Sequence, residues 1–343
     1  MSLPPQPPRP IAFPGQPGQP VLSVVVPMHN EQANVGPLFR RLQGVLERLG
    51  LPYEVVCVDD GSRDGTWAAL EAARVANPRV KLLRFSRNFG KEMAMTAGLR
   101  QASGRAAVIM DADLQHPPEL IEEFVARWRE GAQMVYAVRR SRDTDPTLRR
   151  HLSELYYRLL GALSEVELPR GAGDFRLLDR AVVDALNAMP ERGRFLKGMY
   201  SWVGFRQAAV PFDPAPRHAG TSAFGFWRLL RFGFDGIASF STLPLRVWSW
   251  LGLVVAALAC VYAGVIIAKT MIYGIEVPGY ASLMAATLFL GGVQLICLGV
   301  LGDYLGRVFT EVKGRPLYIV ADAQGFARAE EARPPADGRQ SLP

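Results

Sequence analysis

The stretch VIMDADLQHPPE, residues 108–119, runs three apolar side chains into Asp111 and Asp113 and is closed by two prolines. In an extended chain residues i and i+2 point to the same face, so the two carboxylates stand side by side. Like charges that close disfavour each other unless a cation or a proton lies between them. The pair is either a solvated turn or half of a metal site. A metal there would be a hard ion such as Mg²⁺ or Mn²⁺, held by one or two carboxylates together with the phosphates of a substrate. Bound to a diphosphate, it would stabilise the charge of the departing phosphate. Two other polar clusters also follow apolar runs, VVVPMHNE (24–31) and VCVDDGSRDGT (56–66).

The elements around these clusters can be read from periodicity. VLSVVVP (21–27), YEVVCVDDGS (53–62), VKLLRFS (80–86), AAVIMDAD (106–113) and QMVYAVR (133–139) are short, apolar and strand-like. Between them, VGPLFRRLQGVLERLG (35–50), TWAALEAARVAN (66–77) and LIEEFVARWREG (120–131) carry apolar residues at helical spacing, and the first ends on Gly50. Alternating strands and helices imply an α/β fold with a parallel sheet covered on both faces. Ligands of such sheets bind beyond the carboxyl ends of the strands. Pro27–Glu31, Asp59–Ser62 and Asp111–Gln115 all lie at those ends, so one crevice collects them.

Two later segments break the pattern. Residues 247–268 and 281–302 contain no charged residue, and each is long enough to cross a hydrocarbon core at about 20 residues. Arg228, Arg231 and Arg246 precede the first; Arg307, Lys313 and Arg315 follow the second. The positive-inside rule then places both ends, and the α/β domain, in the cytoplasm. The expectation is a multi-pass protein of the inner or plasma membrane. FGFWRLLRFGFDGIASFS (224–241), aromatic with two arginines, reads as an interfacial helix. LRRHLSELYYRLLGALSEV (148–166) has a leucine face that suits either the interface or packing on the domain. The resulting division is a Pro-rich disordered tail (1–20), the catalytic domain (21–223), the interfacial helix (224–242), a two-span anchor (243–320) and a second disordered tail (321–343).

The bulk numbers agree. Hydrophobic residues make up 49% of the chain, high for a purely soluble enzyme, and three cysteines imply no disulfide framework. The net charge of +7 comes from basic residues near the spans and the polar motifs, which suits anionic lipid and phosphate better than nucleic acid. No G-x-G-x-x-G follows a strand, which argues against a dehydrogenase.

VPMHNE, VDDGSRDGT, SRNFGK, MDADLQHPPE, GDFRLLDR and GDYLGRVFTEVKGRPLYIV together resemble the polyprenyl-phosphate glycosyltransferases of inverting glycosyltransferase family 2, over roughly residues 21–320. The resemblance implies a GT-A fold, a mostly parallel Rossmann-like sheet, followed by a two-helix transmembrane hairpin. It implies transfer of one sugar from a nucleotide-sugar, with a UDP-sugar favoured, to a polyprenyl phosphate. Asp60 would bind the nucleobase, with Pro27, His29 and Glu31 lining the nucleotide pocket. Asp111, Asp113 and Gln115 match the positions for Mg²⁺ or Mn²⁺ and the diphosphate, with Ala112 between the acids. Arg139 matches a donor-phosphate arginine and Arg217 belongs to the same nucleotide-sugar set. Arg176 would grip the acceptor phosphate together with Arg142, since the guanidinium fork pairs bidentately with phosphate oxygens. The catalytic set is then Asp113, Arg139 and Arg176. Asp174 and Asp179 read as a helix cap or as partners for Arg176 or Arg180, with a catalytic role for either as the alternative.

One departure stands out. Relatives often carry Arg-x-x-Gly-x-Ser-Lys before the interfacial helix, whereas RHAGTSAF (217–224) has Ala223 in the lysine's place. That missing cation is the argument for the alternative reading, a catalytically impaired, membrane-tethered sugar-nucleotide sensor or scaffold. A processive synthase is disfavoured because no Gln-x-x-Arg-Trp signature is present. Gly291 and Gly292 would permit close helix contact in a homo-oligomer.

Overall fold

A computed structural model describes residues 20–140, 172–213 and 279–326, with individual helical positions between Val254 and Ile272. The eight strands belong to one compact unit and the long C-terminal helix to another.

In the first unit the chain alternates β1 (Leu22–Met28), α1 (Gln32–Leu49), β2 (Tyr53–Asp59), α2 (Thr66–Ala76), β3 (Val80–Phe85), α3 (Lys91–Gln101), β4 (Ala106–Ile109), α4 (Leu120–Arg129) and β5 (Met134–Arg139). Then follow β6 (Ala172–Asp179), α5 (Arg180–Ala188), α6 (Leu196–Trp202), β7 (Gln207–Phe212) and, late in the chain, β8 (Val320–Gln324). The sheet order is β7-β5-β6-β4-β1-β2-β3-β8. The pairs β1–β2, β1–β4, β2–β3 and β5–β7 are parallel, while β6 and β8 run antiparallel to their neighbours.

Every residue of β1, β2 and β4 is buried, which is why these strands read as continuous apolar runs. Alternate side chains serve opposite faces. Val24, Val26 and Met28 join a core with Leu38, Leu42 and Val45 of α1, Leu70 of α2 and Phe124 and Trp128 of α4. On this side Arg41 pairs with Glu119 and Arg48 with Glu122 across α1 and the start of α4. The other face carries α3, which packs on β1 and β2 and against α5. Its approach is close, because a Cβ on Gly98 would stand 2.2 Å from Val25 Cγ1.

The order reverses direction at β1, since β2 lies to one side and β4 to the other. Their carboxyl ends flank the position where ligands of open α/β sheets bind. Pro27–Glu31 and Asp111–Gln115 follow β1 and β4, so the crevice expected from the sequence is formed.

Two strands correct the sequence reading. GDFRLLDR carries no strand expectation, yet its first seven residues lie in β6, inserted antiparallel between β4 and β5. The tail placed from Ala321 onward starts too early, because β8 covers the edge of β3 with Ser86 N–H donating to Ile319 O at 3.0 Å. Tyr318 stacks on Phe85 with ring centroids 4.9 Å apart. An edge left open would offer unpaired backbone groups; a segment with weak strand propensity closes it here.

The second unit contains α7 (Tyr280–Val312), 33 residues or about 50 Å at the usual rise. It extends ten residues past the expected span end at 302, because Asp303 and Arg307 pair at i, i+4 and continue the helix. Its stretch Phe289–Val312 is long and apolar enough to cross a membrane, with mean hydropathy 1.5 and none of that window buried. The first expected span lies mostly outside the described residues; the positions described between Val254 and Ile272 are helical and exposed. The stretches read as an interfacial helix (224–242) and as a leucine-faced helix (148–166) lie outside the described residues.

Two predictions follow from packing. Gly98→Leu forces backbone or strand movement at Val25 and should destabilise the protein by about 2–3 kcal/mol in a thermal or denaturant melt. Glu92 at the start of α3 accepts from Leu196 N–H of α6 at 3.2 Å. Burial, reinforced by the charge of Asp174, pushes its carboxyl up from 4.5 to about 7, against the pull of Leu196, Lys91 and Lys197. A raised carboxyl binds its proton better in the folded state. Stability is therefore lost as pH rises from about 4.5 to about 7. Glu92→Gln should remove that slope, gaining about 1–3 kcal/mol on wild type between pH 5 and pH 8 in paired melts.

Candidate functional site

The loops after β1 and β2 are built as one object. Asn30 N–H donates to Ser62 Oγ at 2.9 Å, Arg63 N–H to Asn30 Oδ1 at 2.9 Å, and Glu31 N–H to Thr66 Oγ1 at 2.9 Å. Gly65 N–H donates to Gln32 Oε1 at 3.0 Å. These bonds explain several residue types of DDGSRDGT: the Ser62 and Thr66 hydroxyls and the Arg63 and Gly65 amides close onto NEQ. Asn30 takes a positive φ of 56°, which Asn tolerates. Gly61 has φ 64°, and a Cβ there would meet the Arg87 carbonyl carbon at 2.4 Å, so only glycine lets the third loop close.

Asp60 ties that third loop in. Its carboxylate accepts from Phe89 N–H at 2.6 Å and Gly90 N–H at 2.9 Å. Burial nevertheless outweighs these donors and raises its pKa. His29 Nδ1 lies 2.8 Å from the Asp60 carbonyl oxygen and Nε2 lies 3.1 Å from the Asn30 amide nitrogen, so both ring nitrogens are engaged and the ring orientation is set. Asp59 lies behind, wholly buried, accepting from Ser62 N–H and pairing with Arg84.

These loops and the one after β4 enclose a cavity of about 360 Å³. Pro27, His29, Glu31, Asp60, Asp111, Ala112 and Asp113, all chosen from the sequence, line it. Asn88, Gly90, Lys91 and Ala94 line it too and were not chosen, although SRNFGK had been noted as a motif. The signal was there in Lys91: an ammonium in the first turn of a helix opposes the helix dipole, so something else must hold it.

Two carboxylates do. Lys91 Nζ lies 2.6 Å from Asp111 Oδ1 and 2.7 Å from Asp174 Oδ2. Burial disfavours the ammonium, but the charges of Asp111 and Asp174 outweigh it and raise its pKa. Asp174 also has Lys197 Nζ at 3.9 Å. Burial would raise its carboxyl, yet the Lys91 and Lys197 charges hold it well below the usual range. Around the cavity the balance is acidic. Burial pushes Glu31 up, the hydrogen bond from Asn34 opposes it, and the charges of Asp113, Asp111 and Asp64 add to the rise.

That donor set suits a hard divalent ion. Asp111 and Asp113 both face the cavity, and both offer oxygen. No cluster of three His, Cys, Asp or Glu residues able to hold a metal occurs among the described residues. Two acids with an open side fit Mg²⁺ or Mn²⁺, which complete their shell with phosphate and water. The turn itself is held in an unusual form: Leu114 has φ 59°, and Gln115 N–H donates back to Asp113 Oδ1 at 3.1 Å. A bulky residue in the left-handed region is an outlier of the kind that collects at functional sites.

Arg176 is not a cavity wall. It is buried on β6, its guanidinium stacked on Tyr200 at 3.8 Å from the ring centroid and donating to Gly173 O at 2.6 Å. Burial lowers its pKa, and its Nε finds no hydrogen-bond partner among the described residues. Arg139 ends β5 with an exposed side chain, outside the cavity. His116, also missed, packs between Phe175 and Phe212. Asp179 is the helix cap anticipated as one of its two readings: it accepts from Ala181 N–H at 3.0 Å and from Trp128 Nε1–H at 2.8 Å. Asp174 pairs with lysines and not with Arg180. Arg142, Arg217 and Ala223 lie outside the described residues.

Comparison with known proteins places this geometry. Residues 23–186 match glycosyl transferase family 2, and residues 243–308 match the GtrB C-terminal hairpin. The uncharacterized glycosyltransferase sll0501 of Synechocystis is 51% identical, over 89% of this chain and 96% of its own. The SfII prophage-derived bactoprenol glucosyl transferase of Shigella flexneri is 44% identical, over 87% of this chain and 97% of its own. Among solved structures, the Pyrobaculum calidifontis mannosyltransferase in complex with GDP-Man and Mn²⁺ aligns with a TM-score of 0.46 and 18% identity, covering 86% of this chain and 87% of that one. Similar to the Synechocystis and Shigella proteins along nearly its whole length, this chain belongs to glycosyltransferase family 2, in the group that carries the GtrB C-terminal hairpin.

Proposed function

We propose that this protein moves one sugar, from a UDP-sugar in the first instance, to a polyprenyl phosphate held in a membrane, with inversion at the anomeric carbon. The observation that carries the reading is the cavity at the β1–β4 switch, lined by Asp60, Asp111 and Asp113 in a chain that also contains the apolar helix α7. The name of the Shigella relative, a bactoprenol glucosyl transferase, supports a polyprenyl acceptor. The two-span anchor and a cytoplasmic domain belong to the same proposal, supported by the match to the hairpin.

In this reading the loops after β1 and β2 hold the nucleotide, with His29 and Asp60 on the base side and Asp111, Ala112 and Asp113 on the diphosphate side. Asp111 and Asp113, with Gln115 nearby, would hold Mg²⁺ or Mn²⁺, which would supply positive charge toward the leaving diphosphate. Arg139, exposed at the end of β5, and Arg217 would serve the donor phosphates; Arg142 and Arg176 would serve the acceptor, which requires Arg176 to leave its stack on Tyr200. An acceptor phosphate oxygen attacks the anomeric carbon, the bond to the nucleoside diphosphate breaks, and a lipid phosphodiester forms.

The acceptor needs no general base. A phosphate monoester has a second pKa near 6 and is mostly a dianion at neutral pH. Asp174, the acid on β6 beside Lys91, is a poor base because two lysines keep it ionised and engaged. The task left to the protein is to cancel repulsion between phosphates and align them.

The full-length protein in detergent, given polyprenyl phosphate, Mn²⁺ and labelled UDP- and GDP-sugars, should place label from one donor in the organic phase. Asp113→Ala, or chelation of the metal, should reduce that label about a hundredfold or more, since such an ion contributes several kcal/mol. Nucleotide binding without transfer from any donor would favour the sensor reading, for which Ala223 argues. The rate should level off above about pH 7, once the acceptor is a dianion. A rate still rising tenfold per unit beyond pH 8 would point to a base with a higher pKa and overturn the base-free displacement.

A further inference from the structure

Asp111 has two claimants. Its Oδ1 accepts the Lys91 ammonium at 2.6 Å, and it is also one of the two acids facing the cavity at the proposed metal position. An ammonium in contact with that oxygen and a divalent ion bound to the same carboxylate repel each other strongly in a half-enclosed site. Lys91 has a second resting place, because Asp174 Oδ2 lies 2.7 Å from the same nitrogen. Lys197, 3.9 Å from the other Asp174 oxygen, keeps that acid ionised. Lys91 can therefore leave Asp111 without becoming unpaired. The nitrogen already touches both acids, so the shift away from Asp111 needs only a small change of the side chain. It stands in the first turn of α3, where the helix dipole disfavours a cation. Its placement thus depends on the two acids and not on the helix.

We propose that Lys91 is an internal occupant of the cation position on Asp111, displaced onto Asp174 alone when a divalent ion binds. The inference rests on the reading of Asp111 and Asp113 as metal ligands. Without nucleotide the ammonium competes with the ion and keeps its affinity low. A diphosphate entering the cavity brings negative charge that both cations can share, so the ion and the donor bind together. Lys91 is a positioning residue in this scheme, acting through Asp111.

The test is Mn²⁺ binding to the full-length protein in detergent without nucleotide, read from the free-ion signal in electron paramagnetic resonance. Lys91→Met should bind Mn²⁺ about tenfold tighter or more than wild type, because a positive charge next to the ion is gone. Lys91→Gln should do the same and serves where the Met variant does not fold. Asp174→Asn, which leaves Asp111 as the only partner of the ammonium, should weaken binding, and should weaken it far less in the Lys91→Met background. Asp111→Asn should abolish binding in every background. Unchanged or weaker binding in both Lys91 variants, with Asp111→Asn still abolishing it, overturns the occupant role and leaves the metal reading standing. Absence of Mn²⁺ binding in wild type and both Lys91 variants also overturns the occupant role. Mn²⁺ binding that survives Asp111→Asn removes the metal reading and the proposal with it.

Discussion

Carboxylates gathered at the ends of buried strands repel one another, and much of this molecule is arranged to keep them together. Asp59 ends β2, and Asp60, Asp111 and Asp113 follow β2 and β4, strands whose residues are all buried. None of them can be relieved by moving the strand, since the core fixes it. Relief comes from local donors and cations. Asp60 is satisfied by the amides of Phe89 and Gly90, Asp59 by Ser62 and Arg84, and Asp111 by Lys91. The cavity is left with an acidic surplus that a divalent ion can use.

The opposite end of the sheet shows what a carboxylate does when it serves only the fold. Glu54, near the start of β2, is buried and accepts from Ser23 Oγ at 2.6 Å and Ser103 N–H at 2.6 Å, and pairs with Lys81 at 2.5 Å. Burial would raise its pKa, but Lys81, Ser23 and Ser103 together lower it. Its partners form a closed set. Near the cavity Asp111 and Asp174 share Lys91 and Asp111 faces open space, and that difference separates a structural acid from a site.

Antiparallel strands added to a parallel sheet carry their own consequences. β6, between β4 and β5, brings Asp174 beside the start of α3 and buries Arg176 against Tyr200. β8 closes the other edge with residues some 240 positions further along the chain than its partner β3, and Ala321 and Asp322 line a second cavity next to His29, Arg63 and Arg87. The C-terminal strand is thus part of the catalytic unit. A chain that leaves that unit for α7 returns to complete its sheet.

The strands β1 to β5, the helices α1, α2 and α4, and the acids of the crevice could be read from the chain itself. Their signals are local: an apolar run two faces deep, a 3.6-residue stripe, a polar cluster after a strand. Seven residues chosen on that basis and on the family resemblance, from Pro27 to Asp113, do line one cavity. The remainder had no local signal. β6 and β8 depend on partners far away in sequence, and VADAQ in isolation has little reason to be a strand. Whether an acid caps a helix, like Asp179, or holds a lysine, like Asp174, depends on which charge the fold brings within about 3 Å, the reach of a charge-assisted bond. Residue types and their order determined where chemistry could happen; only tertiary structure decided which charges meet, because pairing energy falls with a distance that the sequence does not contain.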